Sequence, residues 1–274
     1  ATGVLSLNMG SRSTLRVNGD LSDGDESFSV KQVGAGTVMV EAFGYSQLYG
    51  RFSNVDEETG ELGPDVTRIV GWGGAGDDQI TIKENVDMPV ELWGDFASPN
   101  PLLDGDDILI ASGSGGALLQ GGGGIDTLYS SVTATLPKNV EILRLLGTAA
   151  IDGTGTAAPE SIIGNLNANR LTGSAGKDVL NGKAGADMLF GGMGADSLVG
   201  DAGNDVFKYT SVSESRKGAG ERDFIAGFTR GGDKINLAAI DANVHILDNQ
   251  AFRFVGTAEF GTTGKASAGQ LRVS

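Results

Sequence analysis

The 274-residue chain contains no cysteine, one histidine, six prolines and few aromatic residues (6%). The lack of cysteine excludes a disulfide framework and any thiolate chemistry. The lone histidine, His245, excludes a zinc site built on two or three imidazoles and leaves one candidate for histidine general-base work. Basic residues are also scarce: 20 Lys and Arg stand against 35 Asp and Glu, for a formal charge of −15. A chain of that sign lacks the basic patches that nucleic acid or an anionic membrane surface requires. No apolar run approaches the ~20 residues that cross a bilayer as a helix. Residues 1–10 have neither a charged n-region nor a continuous apolar stretch, so no secretory signal peptide is expected there.

Glycine, by contrast, fills 45 positions. A flexible linker would pair glycine with serine without a period, and collagen would place it at every third residue with abundant proline. Here the period is longer. From Gly164 the chain reads GNLNANRLT, GSAGKDVLN, GKAGADMLF, GGMGADSLV and GDAGNDVFK without a gap, and a degenerate GTAAPESII precedes them in the same frame from Gly155. The first position is glycine in every block. The sixth is Glu160, Asn169, Asp178, Asp187, Asp196 and Asp205, and the eighth is Ile162, Leu171, Leu180, Leu189, Leu198 and Phe207. This pattern resembles the GGxGxDxUx nonapeptide of calcium-binding β-helices.

Nine residues divide into a six-residue turn and a three-residue strand whose eighth position points inward. Two units then form one coil of 18 residues, and successive coils stack as parallel strands. The expected fold is all-β: a right-handed parallel β-roll or β-solenoid with glycine-rich turns. In this arrangement Asp178 stacks over Asp196 on one edge, and Asp187 over Asp205 on the other. Stacked carboxylates repel unless a cation lies between them. Carboxylates joined by turn carbonyls form an all-oxygen cage that suits a hard ion of the size of Ca²⁺. The competing reading, Asp as a solvated turn former, is weak for these four residues. It is as good as the metal reading for Asn169, which offers only a neutral oxygen, and for Glu160, whose block lacks the fourth-position glycine.

The motif recurs irregularly upstream. GGAGDDQIT from Gly73 and GGGGIDTLY from Gly121 fit the frame, and DGDDIL from Asp104 keeps its second half. Asp78, Asp107 and Asp126 are therefore candidate ligands on one edge only, with intervening strands at 90–93 and 117–120 and an insertion near 94–103. DGDESF from Asp23 is a weaker copy. Further strands are expected at 3–7, 14–17, 27–31, 37–43 and 66–69, and residues 54–64 read as an exposed loop. Trp72 and Trp93 are expected to cap the core near coil ends. The domain reading is an N-terminal β region (1–65), an irregular solenoid (66–150), a regular β-roll (151–210) and a small C-terminal β cap (211–274) that covers open strand edges.

These blocks resemble RTX (repeats-in-toxin) proteins. The stretches VEILRLLGTAAIDGTG and RDFIAGFTRGGDKINLAAIDAN, with the final AGQLRVS, are similar to the C-terminal domain of serralysin-type metalloproteases, which also occurs in other proteins exported by type I secretion systems of Gram-negative bacteria. The resemblance covers about residues 130–274, with looser RTX turns over 66–130. It implies several bound Ca²⁺ ions and folding outside the cell. It also implies a cage in which the carbonyls of Gly173, Ala175, Gly182, Ala184, Gly191, Met193, Gly200 and Ala202 join the carboxylates of Asp78, Asp107, Asp126, Asp178, Asp187, Asp196 and Asp205, with Asn169 as an oxygen donor. No HExxH motif is present, so the protease activity does not transfer. The family domain usually continues past the AGQLR strand, and the chain is accordingly expected to be a truncated or processed piece.

The leading functional expectation is a non-catalytic calcium-binding RTX module of a secreted protein, with calcium and the type I secretion machinery as partners. An adhesin, S-layer or polysaccharide-binding module, with 95–103 as its specific surface and a cell surface or glycan as partner, is the alternative. A β-helical polysaccharide lyase or epimerase is weaker, because its candidates His245, Tyr45, Tyr49 and Arg144 do not group.

Overall fold

The computed structural model describes residues 4–8, 27–42, 45–49, 66–83, 86, 89–95, 105–112, 117–216, 220–240, 253–254 and 270–271. Every regular element among them is a strand, and most strands pair in parallel. The expected strand at 14–17, the weak copy at Asp23–Glu26, the loop at 54–64, most of the insertion at 94–103 and His245 lie outside the described residues.

The longest sheet runs from Phe224–Ala226 through Ser197–Val199, Val179–Asn181, Ser161–Ile163, Ile142–Leu145, Thr127–Ser130, Ile108–Ala111 and Gln79–Ile82 to Ser27–Gly34, parallel throughout. The antiparallel strands Thr37–Ala42 and Tyr45–Tyr49 follow at that end. A second sheet stacks Ala134–Thr135, Gly153–Thr154, Arg170–Gly176, Met188–Gly194, Val206–Lys208 and Lys234–Asn236. A third stacks Val4–Asn8, Arg68–Gly74, Val90–Asp95 and Ala117–Gln120. This arrangement is compatible with a β-roll.

The register is that of the nonapeptide pair. Ile162 stands beside Leu180 and Leu180 beside Leu198 in the long sheet, while Leu171 stands beside Leu189 and Leu189 beside Phe207 in the second. Each step is two blocks. All six side chains have no solvent exposure. A slip of one residue would turn such a strand's apolar residue to solvent, so burial of this column holds the register. Upstream the same column continues through Leu143, Leu128, Leu109, Ile80 and Phe28, although the sequence separations there are irregular. Extra residues are accommodated between strands and leave the stacking of the core unchanged.

At the C-terminal end, Phe224–Ala226 pairs in parallel with Ser197–Val199, and Lys234–Asn236 with Val206–Lys208, so both sheets gain a further strand in the same direction that covers the edge of the last coil. Asp223-Phe224-Ile225 and Asp233-Lys234-Ile235 keep the Asp-x-apolar ending of the repeat, and that half alone sustains the stacking. Trp72 and Trp93 do not cap the core. A Cβ on neighbouring Gly71 would meet Leu92, Phe28 and Leu7, so Gly71 faces inward and Trp72 outward. The two indoles stand in register and stack 5.3 Å apart at 10° on the outer face of the third sheet.

The column is the load on which coil stacking depends. Leu189→Ala, at the centre of the second sheet's core row, is expected to destabilise the calcium-loaded fold by about 2–5 kcal/mol. Urea denaturation in excess calcium measures it. A loss below about 1 kcal/mol would mean the row is not the core described.

Candidate metal centre

The turn geometry follows from its glycines. A Cβ at Gly173 would overlap Asp178 Oδ2 and lie 2.5 Å from the carbonyl oxygen of Gly191, one coil on. Gly182 and Gly200 are likewise closed to a Cβ by Oδ2 of Asp187 and Asp205, and Gly191 by that of Asp196. The first position is glycine because the sixth-position carboxylate folds back onto it. The second position is left-handed in all four regular turns, at Ser174 (φ 85°), Lys183 (75°), Gly192 (100°) and Asp201 (63°). Three of these residues carry a side chain that this region disfavours.

The carboxylates form two ladders. On the edge leading into the long sheet, the Asp78 N–H donates to Asp107 Oδ1 at 2.8 Å, Asp107 N–H to Asp126 Oδ1 at 2.8 Å and Asp126 N–H to Glu141 Oε2 at 2.9 Å. Further along, Glu160 N–H donates to Asp178 Oδ1 at 3.0 Å, Asp178 N–H to Asp196 Oδ1 at 2.9 Å and Asp196 N–H to Asp223 Oδ1 at 3.1 Å. On the edge leading into the second sheet, Asn169 N–H donates to Asp187 Oδ1 at 2.8 Å, Asp187 N–H to Asp205 Oδ1 at 2.9 Å and Asp205 N–H to Asp233 Oδ1 at 3.0 Å. Asp178 thus stands against Asp196, and Asp187 against Asp205. Ala175 is in register with Met193, and Ala184 with Ala202, so the third turn positions also stack.

In the four regular turns one oxygen of each sixth-position carboxylate is thereby satisfied. The second is not: Oδ2 of Asp178, Asp187, Asp196 and Asp205 is buried and accepts no hydrogen bond from any described residue. All four side chains are almost fully buried. Burial pushes the Asp178 carboxyl up to about 7, opposed by the Glu160 N–H and reinforced by the charge of Asp196. Burial pushes Asp187 up to about 6, opposed by the Asn169 N–H and reinforced by Asp205. Asp196 and Asp205 are raised by burial as well. Buried anionic oxygens that lack donors and lie beside carbonyls of the next coil fit a hard, oxygen-preferring cation. No group of three or more His, Cys, Asp or Glu side chains converges among the described residues. A cage at these turns would therefore draw its remaining donors from the backbone.

The structure adds residues that the sequence reading passed over. Asp223 and Asp233 extend the two ladders, and Glu141 continues the first one from Asp126. The half-motif Asp-x-Ile at 223–225 and 233–235 was the signal for two of them. Asp77 and Asp106 form an outer, exposed rail: Asp106 N–H donates to Asp77 Oδ1 and Ile125 N–H to Asp106 Oδ1. Asn169 differs from the aspartates. Its Oδ1 accepts the Asn165 N–H at 2.9 Å, and its Nδ2 donates to the Ile151 carbonyl at 2.6 Å and to Asn165 Oδ1 at 3.2 Å.

Two outcomes follow. Gly191→Ala forces a Cβ onto Asp196 Oδ2 and is expected to cost about 2 kcal/mol or more, measured by thermal unfolding in calcium. Stability indistinguishable from the parent would contradict the packing. The metal-free chain should also show an inverted pH dependence. An acid whose pKa is higher in the fold than its unfolded value of about 3.9 favours folding when protonated. That contribution is full below pH ~4 and is lost as pH rises through about 6 to 7 for Asp187 and Asp178. Melting in chelator should therefore occur at lower temperature at pH 7.5 than at pH 5, and calcium should restore more stability at the higher pH. A melting temperature that rises with pH in chelator would contradict the burial of these groups.

Residues 154–189 and 172–207 match the family of the RTX calcium-binding nonapeptide repeat (4 copies). No curated protein matches the chain. The chain therefore carries RTX calcium-binding nonapeptide repeats, of the kind typical of type I-secreted bacterial proteins, over the stretch where its carboxylate ladders are most regular.

Proposed function

We propose that the chain is a non-catalytic, calcium-dependent folding module of a bacterial protein exported by type I secretion, resembling the serralysin C-terminal domain without a protease. The observation that carries this reading is the set of buried Asp oxygens at 178, 187, 196 and 205 that accept no hydrogen bond from described residues, stacked one coil apart. The ligands are the carboxylates of Asp178, Asp187, Asp196 and Asp205, with Asp78, Asp107 and Asp126 upstream. Carbonyls of Gly173, Ala175, Gly182, Ala184, Gly191, Met193, Gly200 and Ala202 complete the cages.

The energetics support coupling of folding to the ion. The net charge of −15 and the backbone entropy of 45 glycines oppose collapse. A dication between stacked carboxylates removes the repulsion, so its binding free energy becomes folding free energy. In a calcium-poor cytosol the chain stays loose enough to be exported, and it folds in calcium-rich surroundings outside. No described helix is long and apolar enough to cross a membrane.

Calcium titration of the stripped chain, followed by far-UV circular dichroism and tryptophan fluorescence, tests this. A cooperative gain of strand signal is expected, with a weaker midpoint for Asp196→Asn. An unchanged spectrum from verified metal-free protein to millimolar calcium would overturn the reading.

A further inference from the structure

The six consecutive blocks contain two kinds of turn. In the turns ending at Asp178, Asp187, Asp196 and Asp205 the second residue is left-handed, and the sixth-position Oδ2 receives no hydrogen bond from the described residues. In the two preceding turns the second residues, Thr156 and Asn165, are not left-handed, and their N–H groups turn to the sixth-position side chain instead. Thr156 N–H donates to Glu160 Oε1 at 3.0 Å and Oε2 at 2.8 Å, and its hydroxyl donates to Oε1 as well. Asn165 N–H donates to Asn169 Oδ1 at 2.9 Å, while Asn165 Oδ1 accepts from Asn167 N–H at 2.9 Å and Asn165 Nδ2 reaches the Ala149 carbonyl at 2.8 Å.

The chemistry separates along the same line. The longer Glu160 side chain brings both oxygens to donors on its own turn. The Asn169 amide brings a donor that a carboxylate lacks, and it spends that donor on the Ile151 carbonyl of the previous coil. Where an open turn has a buried anionic oxygen to neutralise, these two have hydrogen bonds that close within the turn or onto the coil before. The surrounding coils also carry their own share of the apolar core: Leu136, Val140, Leu143, Leu145, Ile151, Ile162 and Leu171 are buried. At the far end of the second ladder the same closure recurs: Thr229 N–H donates to Asp233 Oδ2 at 2.7 Å while Asp205 N–H holds Oδ1. Asp187 and Asp205 thus lie between two closed rungs.

We infer that the turns at 155–160 and 164–169 take no calcium, and that residues 134–172 form a metal-independent template on which the calcium-dependent turns from 173 onward assemble. This inference rests on the calcium-dependent reading of the later turns. It removes Asn169 from the ligand set and gives ion-driven folding a fixed starting point. The first open turn already has a partner in place, since Glu160 N–H is positioned to hold Asp178 Oδ1 before any ion arrives. Folding that propagates from a preformed edge avoids the cost of nucleating a coil from a disordered chain.

Hydrogen exchange with mass spectrometry on the full chain, in chelator and in calcium, tests this. In chelator, peptides within 134–172 should exchange at least about tenfold more slowly than peptides within 178–207, and calcium should restore protection to the latter. Equal loss of protection in both segments in chelator would overturn the template and leave the calcium-dependent reading intact. Full protection of both segments in chelator would overturn the calcium-dependent reading as well. A second arm uses Asn169→Asp, which puts an anion where the amide donor was. In chelator this variant should lose protection within 164–172 and regain it with calcium. Protection unchanged from the parent in chelator would show that the amide does not close the turn.

Discussion

A carboxylate held half-satisfied governs this structure. Each sixth-position aspartate of the regular turns folds back over the glycine that opens its turn and accepts a backbone N–H from the coil before it, and its other oxygen is buried without a donor. The first oxygen links neighbouring coils. The second makes the link costly, since an ionised oxygen out of water and without a donor is among the most expensive groups a protein can bury. The fold and its dependence on an ion are therefore the same interaction seen from two oxygens of one side chain. The apolar row from Ile162 to Phe207 keeps the coils in register, and the carboxylate edge sets the conditions under which they can remain together.

This division explains the tolerance of the architecture. The core row continues upstream through Leu143, Leu128, Leu109 and Ile80 despite irregular spacing, because the row requires only one inward apolar residue per strand. The turns are stricter. The opening glycine cannot carry a Cβ where a carboxylate oxygen occupies that space, and the second residue must be left-handed if the sixth is to remain open. Ser174, Lys183 and Asp201 accept an unfavourable backbone region at this position, so the turn conformation is imposed by the stack and not by local preference. Closed turns relieve that demand by using a side chain of different length or with its own donor.

Much of this could be read directly from the chain. The nine-residue period, the glycine, acid and apolar columns, the eighteen-residue coil and the pairing of Asp178 with Asp196 and of Asp187 with Asp205 all follow from spacing, because a strand of period two and a turn of fixed length leave few ways to bury one apolar residue per block. Hard oxygen donors without histidine or cysteine already point to calcium. Three things required the folded chain. Asp223 and Asp233 continue the ladders across a gap in the glycine pattern, because strand pairing needs only the second half of the motif. The outward stacking of Trp72 and Trp93 depends on which face of its strand Gly71 presents to Leu92 and Phe28. The contrast between Asn169 and its neighbouring aspartates depends on where the N–H of a residue four positions earlier points. That direction is a backbone choice made by the packed coils, and composition and spacing do not encode it.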